Sequence, residues 1–243
     1  MNQNNKFSYY CRYLKRSFDC LLAVVGLIVL LPFFILVMIL LRITGEGEIF
    51  YLQERMGYQN KPFKIIKFAT MLKDSLNLGS KTITVKNDPR ITPLGKYLRI
   101  TKINELPQII NVIKGDMALV GPRPLLIPSF HKYSEEVQKT IYQNRPGITG
   151  IGSLVFRDEE KLITAVKNTG KDPLKYYKNH IYPYKGELEQ WYYDHVSLKT
   201  DMIILILTFW VVLTKNSNLV YKCFSDLPPK PRELSIYFIQ TGL

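Results

Sequence analysis

Residues 101–124 read TKINELPQIINVIKGDMALVGPRP, and their spacing predicts a short helix followed by a rigid proline-rich turn. Apolar residues recur at i, i+3, i+4 and i+7, the spacing of one buried helical stripe. The stripe consists of Leu106, Ile109, Ile110 and Ile113. Pro107 fits the first helical turn, where a missing N–H costs nothing, and Gly115 is a typical stop. Asn104 is suited to cap the helix, and Glu105 to lie at the positive end of its dipole.

The polar residues around this helix predict an anion-binding site. A helix N-terminus binds phosphate readily, and this one carries Asn104 and Glu105. Arg123 lies between two prolines and Arg145 precedes Pro-Gly, so a stiff backbone holds both guanidinium groups, as bidentate phosphate recognition requires. Asp116 follows one helix length after Glu105. Each residue alone is typical of an ordinary surface, and only the combination favours a site.

A second stretch, CLLAVVGLIVLLPFFILVMILL at residues 20–41, contains no charged residue. Its length is enough to cross the hydrocarbon core of a bilayer. A cleaved signal peptide is a poor alternative, because the run is too long and no small-residue cleavage site follows it. The sequence therefore predicts a membrane helix.

Basic residues flank this apolar run on both sides. They are Arg12, Lys15 and Arg16 before it, and Arg42, Arg55, Lys61, Lys64 and Lys67 after it. The positive-inside rule would place both ends in the cytoplasm. Pro32 lies near the centre of the run and kinks a helix, so a helix hairpin that enters and leaves through one leaflet is one solution. A kinked helix that spans the bilayer is the commoner alternative.

Three charged residues near the start of the run, Lys15, Arg16 and Asp19, stand at helical spacing. They predict an interfacial cluster at the place where the chain enters the membrane. A snorkelling basic anchor beside a capping carboxylate is the alternative.

Composition limits the partners and the chemistry. The chain has 243 residues and a formal net charge of +13, which indicates anionic partners. The basic residues lack a nucleic-acid-binding module, so anionic lipid of the inner leaflet is favoured over nucleic acid. Three distant cysteines indicate neither a disulfide framework nor a zinc site, and His131, His180 and His195 are too scattered to bind a metal together.

The remaining sequence predicts an irregular β-hairpin from residues 49–52 and 63–68, and a firm turn at residues 87–90. Residues 202–213 form an apolar run that is too short to span a membrane. This run is predicted either to be buried in the core or to lie in the membrane interface.

An ordered series of motifs resembles the bacterial sugar transferases known as monotopic phosphoglycosyl transferases. The motifs are KRSFD before the apolar run, FYLQERMGYQNKPFKIIKFATM, NDPRITPLGKYLR, NELPQIINVIKGDMALVGPRP, RPGITG and WYYDHVSLKTDMIILI. They cover most of the chain, and a series of this length in this order is highly specific.

The resemblance implies an α+β, mainly helical fold. It implies a basic N-terminus and re-entrant membrane helix hairpin at residues 1–43, and a cytoplasmic catalytic domain with interfacial helices and a small β-hairpin at residues 44–200. Residues 201–243 would be an apolar interface-associated segment and a basic tail. The implied location is the bacterial inner membrane, with the catalytic domain in the cytoplasm.

The resemblance also implies a reaction. A sugar-1-phosphate passes from a UDP-sugar to undecaprenyl phosphate and UMP is released, in the first membrane step of capsule, exopolysaccharide or glycoprotein glycan synthesis. Mg²⁺ is the implied cofactor. By motif, Arg123 is the best candidate to bind the donor diphosphate, and Arg90, Arg145 and Asp116 are further candidates.

Two positions depart from the family pattern. Asn104 replaces the aspartate nucleophile of the Asp-Glu pair, and Ala69 stands where an arginine is common. An amide is a poor nucleophile and a weaker metal ligand than a carboxylate. Either the chain is inactive, Glu105 is the nucleophile, the lipid phosphate attacks directly, or Asn104 belongs to a variant route. We favour a working enzyme in which Glu105 serves as the catalytic carboxylate and metal ligand.

Two other functions stay open from the sequence. A catalytically silent homologue would act as a membrane-bound partner of glycan-assembly enzymes. A single-span protein could use its basic domain to bind lipid or nucleic acid. The sequence leaves open which sugar is transferred and whether a homo-oligomer packs through the C-terminal apolar segment.

Overall fold

The computed structural model describes residues 13–44, 46–73, 88–214 and 219–235. These residues form a mainly helical structure with two small sheets, which confirms the predicted fold class at that level. Arg12, Asn87 and the end of the predicted basic tail lie outside the described residues.

The helices are α1 Lys15–Thr44, α2 Pro93–Ile100, α3 Gln108–Lys114, α4 Ile127–Phe130, α5 Glu135–Thr140, α6 Ile151–Val155, α7 Glu159–Asn168, α8 Pro173–Tyr176, α9 Tyr182–His195, α10 Leu198–Thr214 and α11 Leu219–Cys223. A π-helical turn, Tyr177–Ile181, joins α8 to α9. The strands are β1 Phe50–Met56, β2 Pro62–Phe68, β3 Ala118–Val120 and β4 Gly147–Thr149.

Helix α1 is 30 residues long and continues through Pro32. Within the described ranges it is the one helix whose length and composition would allow it to cross a membrane. It is therefore consistent with membrane association. At Pro32 the structure has one continuous helix and does not show two separate helices. The predicted hairpin that enters and leaves through one leaflet therefore stays a prediction.

One face of α1 is covered by the rest of the protein along its whole length. The buried residues recur at helical spacing, with Leu27 and Leu30 partly buried between the two halves. They are Lys15, Asp19, Ala23, Phe34, Val37 and Leu41. On the partner side, the ring of Phe34 packs edge-on against Phe68 of β2, with ring centroids 5.4 Å apart. Both ends of α1 therefore contact the same folded body, while its other faces expose apolar side chains.

The N-terminus of α1 is held by buried charges. Lys15 Nζ lies 2.5 Å from Asp201 Oδ2 and 3.7 Å from Asp19 Oδ2. Asp201, at the start of α10, also accepts a hydrogen bond of 2.6 Å from the Tyr192 hydroxyl. Arg16 donates to the carbonyl oxygens at the C-terminal end of α3. The charged cluster predicted at this end is thus an intramolecular junction between α1, α3 and α10.

The predicted hairpin is present and longer than expected. β1 pairs antiparallel with β2 from Phe50↔Phe68 to Met56↔Pro62. A second sheet, which the sequence did not predict, pairs β3 with β4 in parallel at Ala118↔Gly147 and Val120↔Thr149. This pair lies between two hydrophobic clusters, one around α1, β2 and α3 and one around α6, α9 and α10.

The start of α3 differs from the prediction. The helix begins at Gln108, and Asn104 lies inside a 3₁₀ turn, Ile103–Glu105, where it caps nothing. The predicted cap is wrong because Lys102 adopts a left-handed conformation, φ 61°, and starts this separate turn. The predicted stop is confirmed, since Gly115 ends α3 at φ 99°.

The apolar run at residues 202–213 belongs to the longer helix α10. One face, with Ile204, Leu207 and Val211, is buried, whereas Phe209 and Leu213 are exposed. The helix thus combines core burial with an exposed apolar face that suits an interface.

Removing the Lys15 charge should destabilise the protein. We expect Lys15→Met to lower the free energy of unfolding by about 3 kcal/mol, because two carboxylates stay buried without their cation. Thermal unfolding in detergent micelles measures this effect. Lys199→Met, which removes an exposed lysine from the same region, is the control. Equal unfolding temperatures for the two variants would contradict the role of this junction.

Candidate active site

The loop that carries Arg123 is fixed by close contact between two backbone segments. The N–H of Gly121 donates to Thr149 O, and the N–H of Gly147 donates to Pro122 O, both at 2.9 Å. A Cβ atom on Gly147 would lie 2.2 Å from the Gly121 nitrogen, and one on Gly150 would lie 2.1 Å from Gly121 O. The motifs at residues 121–124 and 145–150 therefore meet because these glycines have no side chains.

The backbone of Arg123 is anchored on both sides. Its carbonyl oxygen accepts a 2.8 Å hydrogen bond from the Tyr142 hydroxyl, and its N–H donates to the side-chain carboxyl group of Glu189. The Tyr142 hydroxyl in turn accepts from Leu125 N at 2.8 Å. The Arg123 side chain keeps 44% of its surface exposed. A rigid loop thus presents a solvent-accessible guanidinium group.

Arg123 belongs to a group of charges that we call the cationic cluster, made of Arg55, Lys67, Glu105 and Arg123. Glu105 Oε1 lies 2.9 Å from Lys67 Nζ and 3.3 Å from Arg123 Nη2. Arg55 lies behind the loop and donates to Pro124 O at 3.2 Å. Three cations surround one carboxylate, so the cluster favours an anionic ligand.

Burial and charge shift the pKa values in this cluster. Burial lowers the pKa of Lys67 to about 8, despite the opposing effect of Glu105. Burial and then Arg123 lower the pKa of Arg55 to about 10. Burial alone would raise the pKa of Glu105, but Arg123 and Lys67 together hold it well below its ordinary value. Glu105 is therefore an ionised carboxylate shared by two cations.

Asn104 lies beside this cluster with an unsatisfied oxygen. Its side chain is buried, and Oδ1 has no hydrogen-bond partner among the residues that the structure describes. A buried polar atom without a partner costs free energy, which a ligand could offset.

The carboxylate of Glu105 and the amide oxygen of Asn104 are oxygen donors of the kind that Mg²⁺ binds. The described part of the chain contains no group of three or more His, Cys, Asp or Glu residues that could hold a metal ion. Mg²⁺ commonly takes one or two carboxylates and completes its shell with substrate phosphates and water. These residues therefore fit a Mg²⁺ ion that is shared with a phosphorylated substrate.

Arg145 and Asp116 lie at the turn after α3. Arg145 Nε donates to Gly115 O at 2.9 Å, and its guanidinium lies 4.8 Å from the centre of the Tyr58 ring. Asp116 accepts a 3.2 Å hydrogen bond from Asn111 Nδ2. Both residues thus make contacts that organise the turn, and their predicted roles in substrate binding stay predictions.

Arg90, the remaining predicted substrate-binding residue, is buried in a two-point ion pair with Asp88. The structure therefore places Glu105 and Arg123 in contact, and Asn104 beside them. It gives Arg90 a separate buried partner.

Several charged residues near Arg123 were not predicted as site residues. Arg55 and Lys67 were noted only as basic flanks of the membrane segment. Four further residues form what we call the aromatic cluster: Phe156, Glu159, Tyr177 and Lys185. Lys185 Nζ donates to both oxygens of Glu159, at 2.7 and 2.8 Å, and to the Tyr177 hydroxyl at 3.0 Å. It also lies 4.9 Å from the centre of the Phe156 ring.

Glu189 is a buried carboxyl group behind Arg123. Its Oε2 has no hydrogen-bond partner among the described residues. A Cβ atom on Gly152 would lie 2.5 Å from Oε1, so glycine leaves the space that this carboxyl occupies. Burial raises the pKa of Glu189 to about 8, and it is therefore protonated at neutral pH. The one signal in the sequence that could have indicated Glu189 is its position four residues after Lys185, which places both side chains on one face of a helix.

An open cleft of about 590 Å³ lies elsewhere, between α5, α9 and Pro228. Its walls include Tyr133, Tyr182 and Trp191, and none of the residues of either cluster lines it. The convergence of charges on Arg123 is thus the better candidate for the active site.

Comparison with known proteins agrees with the resemblance that the motif series indicates. The sequence model of the family described as bacterial sugar transferase matches residues 10–215. The exopolysaccharide production protein ExoY of Sinorhizobium fredii is 35% identical over 166 residues, which cover 63% of this chain and 73% of that protein. The undecaprenyl-phosphate galactose phosphotransferase of Salmonella typhimurium is 30% identical over 229 residues, which cover 88% of this chain and 43% of that protein. The undecaprenyl-phosphate glucose phosphotransferase of Komagataeibacter xylinus is 35% identical over 158 residues, covering 60% of this chain and 30% of that protein. The chain thus matches less than half of each of these two phosphotransferases.

The raised pKa of Glu189 predicts a dependence of stability on pH. Its pKa is about 8 in the folded protein against 4.5 ordinarily, so the folded state retains a proton that the unfolded state releases. The stabilising contribution is complete below the unfolded pKa and is lost as pH rises through the folded pKa. Between about pH 6 and about pH 9, the free energy of unfolding should fall by about 2–3 kcal/mol more in the native chain than in Glu189→Gln.

Denaturant unfolding at the two pH values measures this difference. Glu187→Gln, an exposed neighbour on α9, should keep the native pH dependence. The same pH dependence in Glu189→Gln and the native chain would show that Glu189 is not the titrating group.

Proposed function

The chain belongs to the bacterial sugar transferase family, and from that premise we propose that it transfers a sugar-1-phosphate from a UDP-sugar to undecaprenyl phosphate. UMP is the second product. The observation that carries the proposal is the cationic cluster, in which Lys67 and the exposed Arg123 share the Glu105 carboxylate and Arg55 adds a third positive charge. We place the reaction at the first membrane step of capsule, exopolysaccharide or glycoprotein glycan assembly.

Phosphoryl transfer needs neutralisation of charge and an attacking group in line with the leaving group. A donor diphosphate would compete with Glu105 for Arg123 and Lys67, and would relieve the repulsion between the cations. In the reaction, a bond forms between the attacking oxygen and the sugar-bearing phosphorus. The bond from that phosphorus to the bridging oxygen breaks, and UMP leaves with the electron pair.

Two groups are candidates to supply the attacking oxygen: the carboxylate of Glu105 and the phosphate of the lipid acceptor. Asn104 is an amide and lacks a nucleophilic carboxylate. Glu105 is ionised and follows Asn104 in the chain, so we assign the catalytic carboxylate role to it. In a second displacement, an oxygen of undecaprenyl phosphate would bond to the phosphorus while the bond from that phosphorus to Glu105 breaks, which frees the carboxylate. Direct attack by the lipid phosphate is the alternative, in which Glu105 orients the acceptor or a metal ion.

We propose Mg²⁺ as the cofactor, held by Glu105 and the unpartnered amide oxygen of Asn104 together with the donor phosphates. When bound, the ion would neutralise charge on the transferring phosphoryl group. The protein residues would orient the diphosphate, with Arg123 and Lys67 supplying fixed positive charge.

We also propose that both ends of α1 lie on the cytoplasmic side of the inner membrane. The buried stripe on α1 supports this, because residues on both sides of Pro32 pack on one folded body. Apolar side chains on the other faces of α1 and on α10 would contact lipid. The net charge of +13 suits the anionic inner leaflet.

A catalytically silent homologue is the second candidate function, and Asn104 is the observation that favours it. Such a protein would keep the cationic cluster and bind the donor without turnover. It would serve as a membrane-bound partner in glycan assembly.

Enzyme assays separate these two functions. With Mg²⁺, undecaprenyl phosphate and a panel of UDP-sugars, we expect the purified chain to release UMP. Glu105→Gln should lower the rate by about 10³-fold, since it removes the reactive carboxylate. Glu136→Gln, at an exposed position on α5, should retain full activity.

The outcomes of this assay have different meanings. Activity that appears only in Asn104→Asp would identify the native chain as the silent form. No release from either chain with any donor and acceptor would contradict the proposed reaction.

Cysteine labelling tests the topology of α1. In a chain whose native cysteines are replaced by serine, a membrane-impermeant maleimide should label Leu14→Cys and Ile43→Cys from the cytoplasmic side alone. Both positions are exposed, as is Val29, which lies in the apolar middle of α1. Val29→Cys should stay unlabelled from either side. Labelling of positions 14 and 43 from opposite sides would instead identify a spanning helix.

A further inference from the structure

The aromatic cluster has a carboxylate that remains available to a ligand. Lys185 uses all three donors of its ammonium group on Glu159 and Tyr177, so it has none left for a substrate. Glu159 keeps unused lone pairs, and 27% of its side chain is exposed. Lys185 therefore acts as a positioning residue that holds Glu159 ionised and oriented.

This cluster adjoins Arg123. The charge of Glu105, and after it that of Glu159, raises the pKa of Arg123. Glu189, which accepts the N–H of Arg123, is one helical turn beyond Lys185 on α9. Arg123 thus has two flanks, the cationic cluster with Glu105 and the aromatic cluster with Glu159.

The flank with Glu105 is connected to α1 through β2. Lys67 is next to Phe68, whose ring contacts Phe34 of α1. The lipid acceptor must approach from the membrane, and both candidate attacking groups therefore belong to this flank. In an in-line displacement the leaving group departs opposite to the attacking oxygen. We therefore place the nucleotide, which is the leaving group, on the other flank.

The aromatic cluster offers the contacts that a nucleoside requires. Tyr177 is partly exposed and provides aromatic surface at which a base can stack, whereas Phe156 is buried and packs against Lys185. A carboxylate is a common acceptor for ribose hydroxyl groups. Arg157, which follows Phe156 between α6 and α7, has a buried Nη1 atom with no acceptor among the described residues. An acceptor atom of a ligand would satisfy it.

We infer that the aromatic cluster is the nucleoside subsite of the donor, in which Glu159 accepts hydrogen bonds from the ribose hydroxyl groups. The inference rests on the proposed function and adds to it the direction in which the donor lies. The sugar of the donor then lies away from Glu159, and the aromatic cluster selects the nucleotide.

Calorimetric titration of the purified full chain with UMP, 2′-deoxy-UMP and 3′-deoxy-UMP tests this inference without requiring turnover. We expect the native chain to bind UMP about tenfold or more tightly than at least one deoxy analogue, because a charge-assisted hydrogen bond is lost. Glu159→Gln should weaken UMP binding and reduce this discrimination to nearly one.

Two further variants separate recognition from folding. Replacing both partners, Glu159→Gln with Lys185→Met, leaves no unpaired buried charge and should also abolish the discrimination. Glu187→Gln removes an exposed carboxylate from α9 and should bind all three nucleotides as the native chain does. Thermal unfolding confirms that each variant is folded.

The results distinguish failure of the subsite from failure of the reaction. Unchanged discrimination between UMP and its deoxy analogues in folded Glu159→Gln would overturn the subsite. The subsite would also be overturned if Glu159→Gln altered the preference among UDP-sugars and left the affinity for UMP intact. UMP binding with the expected discrimination but without UMP release would support the subsite and contradict the reaction. A native chain that releases UMP but does not discriminate between the nucleotides would support the reaction and contradict the subsite.

Discussion

The backbone contact between residues 118–121 and residues 147–150 is the constraint on which the candidate site depends. A side chain at Gly147 or Gly150 would overlap the backbone of Gly121, so the parallel pair of β3 and β4 requires glycine there. This pair joins the two main hydrophobic clusters, since Val120 packs in one and Ile148 against the other. The same contact aims Arg123, and the fold and the site therefore share one requirement.

The electrostatics of the site follow from this placement. Burial disfavours each charge of the cationic cluster separately, which is why the pKa values of Lys67 and Arg55 fall. Glu105 offsets only part of the repulsion, because it is one carboxylate among three cations. The protein thus holds positive charge in a fixed arrangement, and in the proposed reaction the diphosphate of the donor would complete the neutralisation. Preorganised charge of this kind needs no rearrangement during the reaction.

Sequence patterns correctly predicted those features of the fold that depend on residues close together in the chain. The hairpin and the stop at Gly115 depend on neighbouring residues, and the structure contains both. The junction of Lys15 with Asp201 joins residues 186 positions apart, so no spacing rule could identify it. The cap at Asn104 failed for a different reason, because the left-handed Lys102 starts a separate turn. The motifs predicted Arg123 as a site residue, and the structure places it in contact with Glu105, whereas the aromatic cluster depends on how α7 and α9 pack.

In the proposed function, Asn104 affects the chemical step and leaves the residues that recognise the nucleotide unchanged. It caps no helix and its oxygen lacks a partner among the described residues, so these contacts give no structural reason to prefer an amide over a carboxylate here. An aspartate would add a negative charge beside Glu105 and reduce the positive excess of the cationic cluster. The amide leaves that excess intact, which would favour binding of the proposed anionic donor, and it lacks the nucleophilic carboxylate that the family resemblance implies. Arg123 and Glu159 depend on contacts that do not include residue 104. Recognition of the nucleotide should therefore persist whether or not Glu105 supports turnover.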